Sequence, residues 1–492
     1  IFKIKLFIRL LHKELINCIN LIYSIINTVS GLLFPLFTFP YATRVLMPEG
    51  IGQVNFYNSI IAYVTLLVGM GIPTYGIREI ARVRDNKEEL TRVTIELLSL
   101  SVFLCIGGYL IIGGVCLWID PIKENFPLFL ILSSILFFNA IGCNWFYSGV
   151  EDFKYITFRG LIVRVIATIF LFVCVKTKDD LFLYGIYYVV SYGGSYLVNF
   201  LCLGRYLDIS SVKFRHINLS RHIKPALAVF IFSLATSIYL QLDKAMLGFL
   251  ADNESVGYYS AASQISHLLL LLATAIGTVM LPRASNLVKN KKYDEFRVLT
   301  QKSYQFVLLI AFPLSLGCIA LSPALIQLLC GEMFANATSS LQILSPIVLI
   351  IGISNLIGMQ ILYPIGKINL VTISTSIGAI VNLLLNVIFI PMFREDGAAF
   401  STLIAELSVT LILILLGRKY IPFSLITKEC FYYFIASIVM FVICVSIAQF
   451  TVYPYNIFVV IGVGLFVYIT ILIIAKDSMI MDLINRKICN QL

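Results

Sequence analysis

The chain has 492 residues, of which 59% are hydrophobic and only 13% charged, and its mean hydropathy is +0.94. A water-exposed globular fold cannot bury so large an apolar fraction, which excludes a soluble enzyme. The net charge of +10 arises from Lys and Arg in short breaks between apolar stretches, a pattern of membrane topology rather than of nucleic-acid binding.

A helix needs about 20 apolar residues to cross a hydrocarbon core of about 30 Å. Hydropathy predicts fourteen such spans, near 16–39, 54–77, 95–117, 127–148, 160–175, 181–203, 225–250, 256–281, 304–330, 341–363, 368–390, 397–417, 431–450 and 456–475. Lys3, Lys5, Arg9 and Lys13 precede a first run without a small-residue cleavage site, so that run is expected to remain as an anchor. Alternate breaks carry 29 and 5 Lys and Arg, with Arg164 and Lys244 inside spans. This asymmetry predicts an even number of spans with both termini in the cytoplasm.

The breaks assigned to the outer face are short, leaving no room there for a catalytic domain, and the longer inner breaks lack the G-x-x-x-x-G-K-[ST] phosphate cradle. The chain is therefore expected not to be an enzyme and to carry no cofactor or metal. Its eleven cysteines are scattered, with no C-x-x-C, and read as small apolar residues. The sequons at Asn253 and Asn336 read as chance matches.

Residues 49–60, EGIGQVNFYNSI, align with 254–265, ESVGYYSAASQI, at an offset of 205 that also brings Arg78 onto Arg283. The offset pairs the first two spans with the seventh and eighth, as expected of parallel repeats about an axis along the membrane normal. The predicted organisation is an N-terminal lobe at 1–215, a C-terminal lobe at 216–420, and two further helices with a cytoplasmic tail at 421–492. Gly31, Pro35, Gly69, Gly71, Pro73, Pro313 and Pro346 fit helices that bend or pack closely in a rocking transporter, and fit ordinary membrane helices equally well.

The stretches PLFTFPYATRVLMPEGIGQVNF (35–56), GIREIARVRDNKEEL (76–90), LDKAMLGFLADNESVGYYSAASQI (242–265) and DGAAFSTLIAEL (396–407) resemble the Wzx-like oligosaccharide flippases. These form a branch of the multidrug/oligosaccharidyl-lipid/polysaccharide exporter superfamily. The resemblance covers nearly the whole chain, and its first block is the most specific. It implies an all-α integral membrane fold of about 14 helices, with two six-helix lobes around a central cavity plus two C-terminal helices. It further implies a bacterial inner-membrane flippase that moves undecaprenyl-pyrophosphate-linked oligosaccharide, O-antigen or a similar polymer, to the periplasmic leaflet by alternating access. Implied partners are the lipid-linked substrate, membrane lipids, a polysaccharide polymerase and a chain-length regulator, with no nucleic acid. The alternative is an ion-coupled drug or cation antiporter of the same fold.

Charges within membrane spans are costly and are therefore candidates for function. Arg44, Arg78, Arg164, Lys244 and Arg283 are candidate pyrophosphate ligands, although Arg44 and Arg164 could instead snorkel, and Arg78 and Arg283 could simply anchor the cytoplasmic face. Asp243, Glu406 and His267 are candidates for proton or sodium coupling, with a structural role open to each. Asp243 and Lys244 lie about 10 Å from the outer end of their span and point about 100° apart, so each is expected to meet partners on other helices. Arg164 is expected one or two turns from the cytoplasmic end of its span.

Overall fold

The computed structural model describes residues 2–208, 210, 212, 217–450 and 456–481; within helices, the side chains of 2–18, 21, 32, 231–240, 278, 279, 450 and 456 are outside that description. Cys18, Cys489 and the Tyr239 side chain are therefore outside it, and the nine described cysteines are free thiols. Helices account for nearly all described residues, and no strand occurs among them. This follows from the solvent: in hydrocarbon, a helix satisfies its own backbone donors and acceptors. Eleven of the described helical segments are long and apolar enough to cross a membrane, and the chain is an all-α, multi-pass membrane protein.

The chain divides into two compact units, the first made of Ile1–Gly50 with Val54–Gln241 and the second of Ile51–Gln53 with Leu242–Leu492. The first unit contains most of α1 (Phe2–Gly69), then α2 (Ile72–Val83), α3 (Lys87–Trp118), α4 (Asp120–Lys123), α5 (Phe126–Ile141), α6 (Asn144–Gly149), α7 (Phe153–Cys174) and α8 (Leu181–Leu203). It also takes the first two thirds of α9 (Ser220–Leu250). The second unit holds the rest of α9, then α10 (Asn253–Lys289), α11 (Tyr293–Cys330), α12 (Ala337–Leu344), α13 (Ile347–Asn355), α14 (Ile368–Gly417), α15 (Lys428–Phe450) and α16 (Asn456–Ile474). A π-helical turn, Leu356–Leu362, follows α13.

Helix starts follow ordinary capping chemistry. The Asn86 side chain accepts from the backbone of Glu88 and Glu89 at 3.1 and 3.2 Å, Asp152 from Tyr155 at 3.0 Å, and Asp252 from Ser255 at 2.8 Å. Asp180, ahead of α8, accepts from the amides of Lys176 and Thr177, both at 2.8 Å, and these bonds hold its carboxyl below the usual range.

The predicted spans lie over these helices, with breaks that hydropathy does not register. α1 contains a non-helical residue at Met47 (φ 62°) ahead of Pro48, and α14 contains one at Arg394 (φ 50°). The second predicted span is interrupted at Met70–Gly71 and the fourth at Gly142–Cys143. Gly71 has φ 74°, and a Cβ there would lie 2.4 Å from the Ala226 carbonyl of α9. The fifth span starts at Phe153 rather than near 160, so Arg159 is inside a helix and Arg164 lies about 16 Å from its start, three turns in rather than one or two.

Ile72, Ile80, Leu97, Trp145, Phe146 and Tyr147 pack together in the first unit. In the second, α11, α15, α16 and the π-helical turn share a core that includes Val307, Ile357, Tyr433 and Val460. Large apolar side chains such as Leu110 and Leu415 point outward, as expected of helices solvated by lipid. Gly52 and Gly257, equivalent at the 205-residue offset, lie against each other in the second unit. A Cβ on Gly52 would fall 1.6 Å from the Asn253 carbonyl oxygen and 2.8 Å from the Gly257 nitrogen.

Gly52→Ala is therefore expected to destabilise the protein by about 1–3 kcal/mol or more, since backbone would have to yield. Gly69→Ala, where nothing lies within 4 Å of the new methyl, should leave the detergent-solubilised melting temperature unchanged or slightly raised. Equal melting temperatures for the two variants would refute the close packing at Gly52.

Candidate functional site

Asp243 on α9 is 8% exposed, and its carboxylate is held entirely by neutral donors. The amides of Asn382 and Asn386 donate to Oδ1 at 3.1 and 2.8 Å, while the Thr402 hydroxyl donates to Oδ2 at 2.8 Å and the Tyr259 hydroxyl also donates to Oδ2. Asn382 and Asn386 are one turn apart, so both face the same side of α14. Thr402 belongs to the part of α14 beyond Arg394, so both parts of the bent helix contribute to one site. The buried Oδ1 of Asn386 has no hydrogen-bond partner. The carboxylate oxygens already accept four hydrogen bonds and Asn386 Oδ1 is the unpaired acceptor beside them, so a small hard cation enters this site only by displacing some of those donors. Among the described residues, no three His, Cys, Asp or Glu converge as a metal cluster.

Lys244 is half-buried and forms no ion pair with Asp243 within 4 Å, as expected for adjacent helical residues. Glu406 is half-buried one turn beyond Thr402, while His267 and Arg283 are exposed on α10. Arg44 is exposed on α1. The structure thus gathers donors around Asp243 and brings Lys244 of α9 within electrostatic reach of His267 of α10, and Glu406 within reach of Tyr259.

In the first unit, α7 carries two guanidinium groups that face neutral oxygens. Arg164 donates through Nη1 to Asn27 Oδ1 at 3.2 Å, to the Asn27 carbonyl at 3.3 Å and to Ser30 Oγ at 2.5 Å. Arg159 is 7% exposed; it donates through Nη1 to Asn199 Oδ1 and through Nη2 to Asn144 Oδ1 at 3.3 Å, with Tyr155 under its guanidinium at 5.7 Å. Its Nε has no partner. Among the described residues neither arginine has a carboxylate within 4 Å, so two cations in one membrane helix are left uncompensated by acids.

A buried acid, by contrast, holds the end of α9. Glu96 of α3 is fully buried and accepts from the Asn218 amide at 2.9 Å, from Arg221 Nε at 3.0 Å and from Arg221 Nη2. His222 Nε2 lies 2.9 Å from Glu96 Oε2, and its Nδ1 lies 2.8 Å from the Tyr75 hydroxyl. Arg78 is exposed on α2, with its guanidinium 5.7 Å from the Tyr75 ring centre. The first unit also contains a cleft of about 440 Å³ whose polar lining is Asn58, Tyr63, Thr65, Thr74, Asn139 and Gln241, with no charged side chain.

Sequence reasoning missed Asn382, Asn386, Thr402, Glu96, Arg221, His222 and Arg159 as participants. Three of these carried a signal: Asn382 and Asn386 as paired asparagines at i, i+4 in an apolar span, and Glu96 as a lone carboxylate at the start of the third. Arg159, Arg221 and His222 were hidden because they fall in segments that read as connecting loops.

The fold and its membrane-embedded polar sites define a polytopic transporter-like protein. Residues 18–288 match the family described as Polysaccharide biosynthesis protein, and the chain belongs to that family. Residues 228–388 match the MatE family. The chain is 26% identical over 404 residues to the "Putative O-antigen transporter" of Escherichia coli (strain K12), covering 81% of this chain and 96% of that protein. It is 29% identical over 173 residues to the "Probable flippase AglR" of Haloferax volcanii, 34% of this chain and 35% of that protein. Among solved structures it shares its fold with the lipid II flippase MurJ in an inward closed conformation, at TM-score 0.69 and 19% identity, over 93% of this chain and 100% of that one. An inward-facing multidrug resistance MATE family transporter of the MOP superfamily matches at TM-score 0.64 and 16% identity, over 79% and 94%. The resemblance drawn from the sequence blocks is borne out.

Glu96→Ala should lower stability by about 2–4 kcal/mol, because it strips Arg221, His222 and a backbone amide of their buried acceptor. The Glu96→Ala/His222→Ala double variant should lose less than the sum of the two single losses, as contacting residues do. Thermal unfolding in detergent checks both statements, and strict additivity would contradict the observed contact.

Proposed function

We propose that this protein is a flippase that carries lipid-linked oligosaccharide repeat units, of O-antigen or a similar polysaccharide, from the cytoplasmic to the outer leaflet. The family membership and the near full-length similarity to an O-antigen transporter support this reading. The structural observation that carries it is Arg164, a cation in a membrane helix satisfied only by neutral oxygens of Asn27 and Ser30 and so available to a diphosphate. Arg44, Lys244, Arg78 and Arg283 are the further candidate contacts. The uncharged amides and hydroxyls of the cleft suit the glycan, which needs hydrogen-bonding partners without a fixed charge. The polyprenyl chain stays in lipid.

In this reading the protein acts as a transporter rather than an enzyme, and resides in the bacterial inner membrane with both termini in the cytoplasm, as the Lys and Arg asymmetry favours. The lobes at 1–215 and 216–420, followed by the helices from 421, alternate access to the two faces. Asp243, with Asn382, Asn386 and Thr402, takes the coupling proton or sodium ion, and Glu406 and His267 are secondary candidates. A polymerase and a chain-length regulator receive the translocated unit. The drug or cation antiporter alternative is weaker, because a cationic substrate is repelled by Arg159 and Arg164.

Deleting the gene in its host should abolish surface polymer and accumulate the completed lipid-linked unit on the cytoplasmic side, with both effects reversed by the intact gene. Normal polymer without accumulation, together with gene-dependent efflux of a cationic dye from vesicles, would favour the antiporter. Lys244→Ala should fail to restore polymer while reaching the membrane at normal levels. Asp243→Asn should slow translocation by about tenfold or more and remove its response to an imposed proton or sodium gradient, since a neutral amide exchanges neither ion. An unchanged gradient response would exclude Asp243 from coupling.

A further inference from the structure

A second concavity, of about 340 Å³, opens where α2, α3 and α9 meet in the first unit. Its charged lining consists of Arg78, Arg82, Arg92 and Arg221 with Glu79 and Glu89, and Tyr75 and His222 contribute to its wall. The four arginine side chains are 57%, 62%, 29% and 38% exposed, in that order, so all four remain accessible to a ligand. Arg82 pairs with Glu79 at 2.8 Å, whereas Arg78 and Arg92 approach Glu79 and Glu89 at only 3.7 and 3.8 Å. Arg92 Nε is buried without a partner. Arg221 is gripped from behind by Glu96, which lies outside the lining and also holds His222, itself bonded to Tyr75.

With Glu96 counted behind Arg221, four guanidinium groups stand against three carboxylates and leave the pocket one positive charge in excess. Every cation in it is arginine, whose planar fork matches phosphate oxygens two at a time, while lysine offers only a point charge. A structural ion-pair network would bring each arginine to a carboxylate, yet two of the four stand off at hydrogen-bond-breaking distances. The rear face is held by the Glu96–His222–Tyr75 chain, so Arg221 is in place before any ligand arrives, which reduces the ordering cost of binding at that wall.

We propose that this pocket is a diphosphate-binding site, in which Arg78, Arg82 and Arg92 clasp the diphosphate of the lipid-linked saccharide before translocation and Arg221 closes the rear wall. The proposal rests on the flippase reading for the identity of its ligand. The site lies among the segments whose basic residues assign them to the cytoplasmic face, where the charged headgroup starts its passage. Glu96, His222 and Tyr75 are positioning residues. An anionic phospholipid headgroup presents related chemistry but only one phosphate group, and the four-arginine lining favours the diphosphate.

The test is equilibrium binding of radiolabelled undecaprenyl diphosphate to the full chain in phosphatidylcholine nanodiscs. Arg82→Gln/Arg92→Gln should weaken binding by about tenfold or more, through loss of two charge-assisted contacts. Arg78→Gln/Arg82→Gln, which changes only well-exposed side chains, should weaken it similarly should the first variant fail to fold. Arg84→Gln removes the same charge from a guanidinium paired with Glu151 outside the lining and should bind as the unaltered protein does. Unlabelled undecaprenyl diphosphate should displace the probe, and nanodiscs containing phosphatidylglycerol should not. Unchanged affinity in a folded double variant, or displacement by phosphatidylglycerol, would overturn the proposal and leave the flippase reading intact. Intact surface polymer in the deletion strain would instead strike at the flippase reading, whatever the binding results.

Discussion

The constraint on which this structure depends is that a charge placed in hydrocarbon must be answered by the protein itself. A soluble protein can leave a carboxylate or guanidinium to water, whereas here each must meet a designed set of partners or be held ready for a ligand. The chain answers its charges in two ways. Asp243 and Glu96 are surrounded by donors, and the donors to Asp243 are all neutral, so the acid is solvated without being neutralised. Arg159 and Arg164 are surrounded by acceptors that carry no charge, which leaves two positive groups on one helix without an acidic partner among the described residues.

The breaks in the helices serve the same constraint. An uninterrupted helix has no free backbone groups and presents one repeating face, whereas a bend re-aims the side chains that follow it. The non-helical residue Arg394 lets one helix bring Asn382 and Asn386 from one side and Thr402 from the other to the same carboxylate. Gly71, in the left-handed region, lets the start of α2 press onto the backbone of α9, close to where His222 meets Tyr75. Gly52 allows the contact with Asn253 and Gly257 for the simpler reason that no side chain fits there.

Much of the fold was legible in composition and hydropathy. Apolar runs long enough to span a bilayer can form little else, so the positions of the helices followed, and the clustering of Lys and Arg in alternate breaks offered an orientation. Asp243 stood out because a short acidic side chain within a span cannot reach the interface. The irregularities were not legible, because a hydropathy window averages over a one-residue bend. Arg159 passed for a loop residue since the helix start at Phe153 depends on Asp152 capping rather than on apolarity.

By itself, the sequence determined that this is a polytopic all-helical membrane protein, that its family resemblance points to polysaccharide export, and that Asp243, Lys244 and Arg164 needed an explanation. Only the tertiary structure decided what each of them meets. Asn382 lies 139 residues from Asp243, and His222 lies 126 from Glu96, and nothing in local spacing encodes such pairings. Helix formation is a local property, set by each segment's own polarity and backbone bonding. The satisfaction of a buried charge is collective, set by which helices pack together and where each one bends.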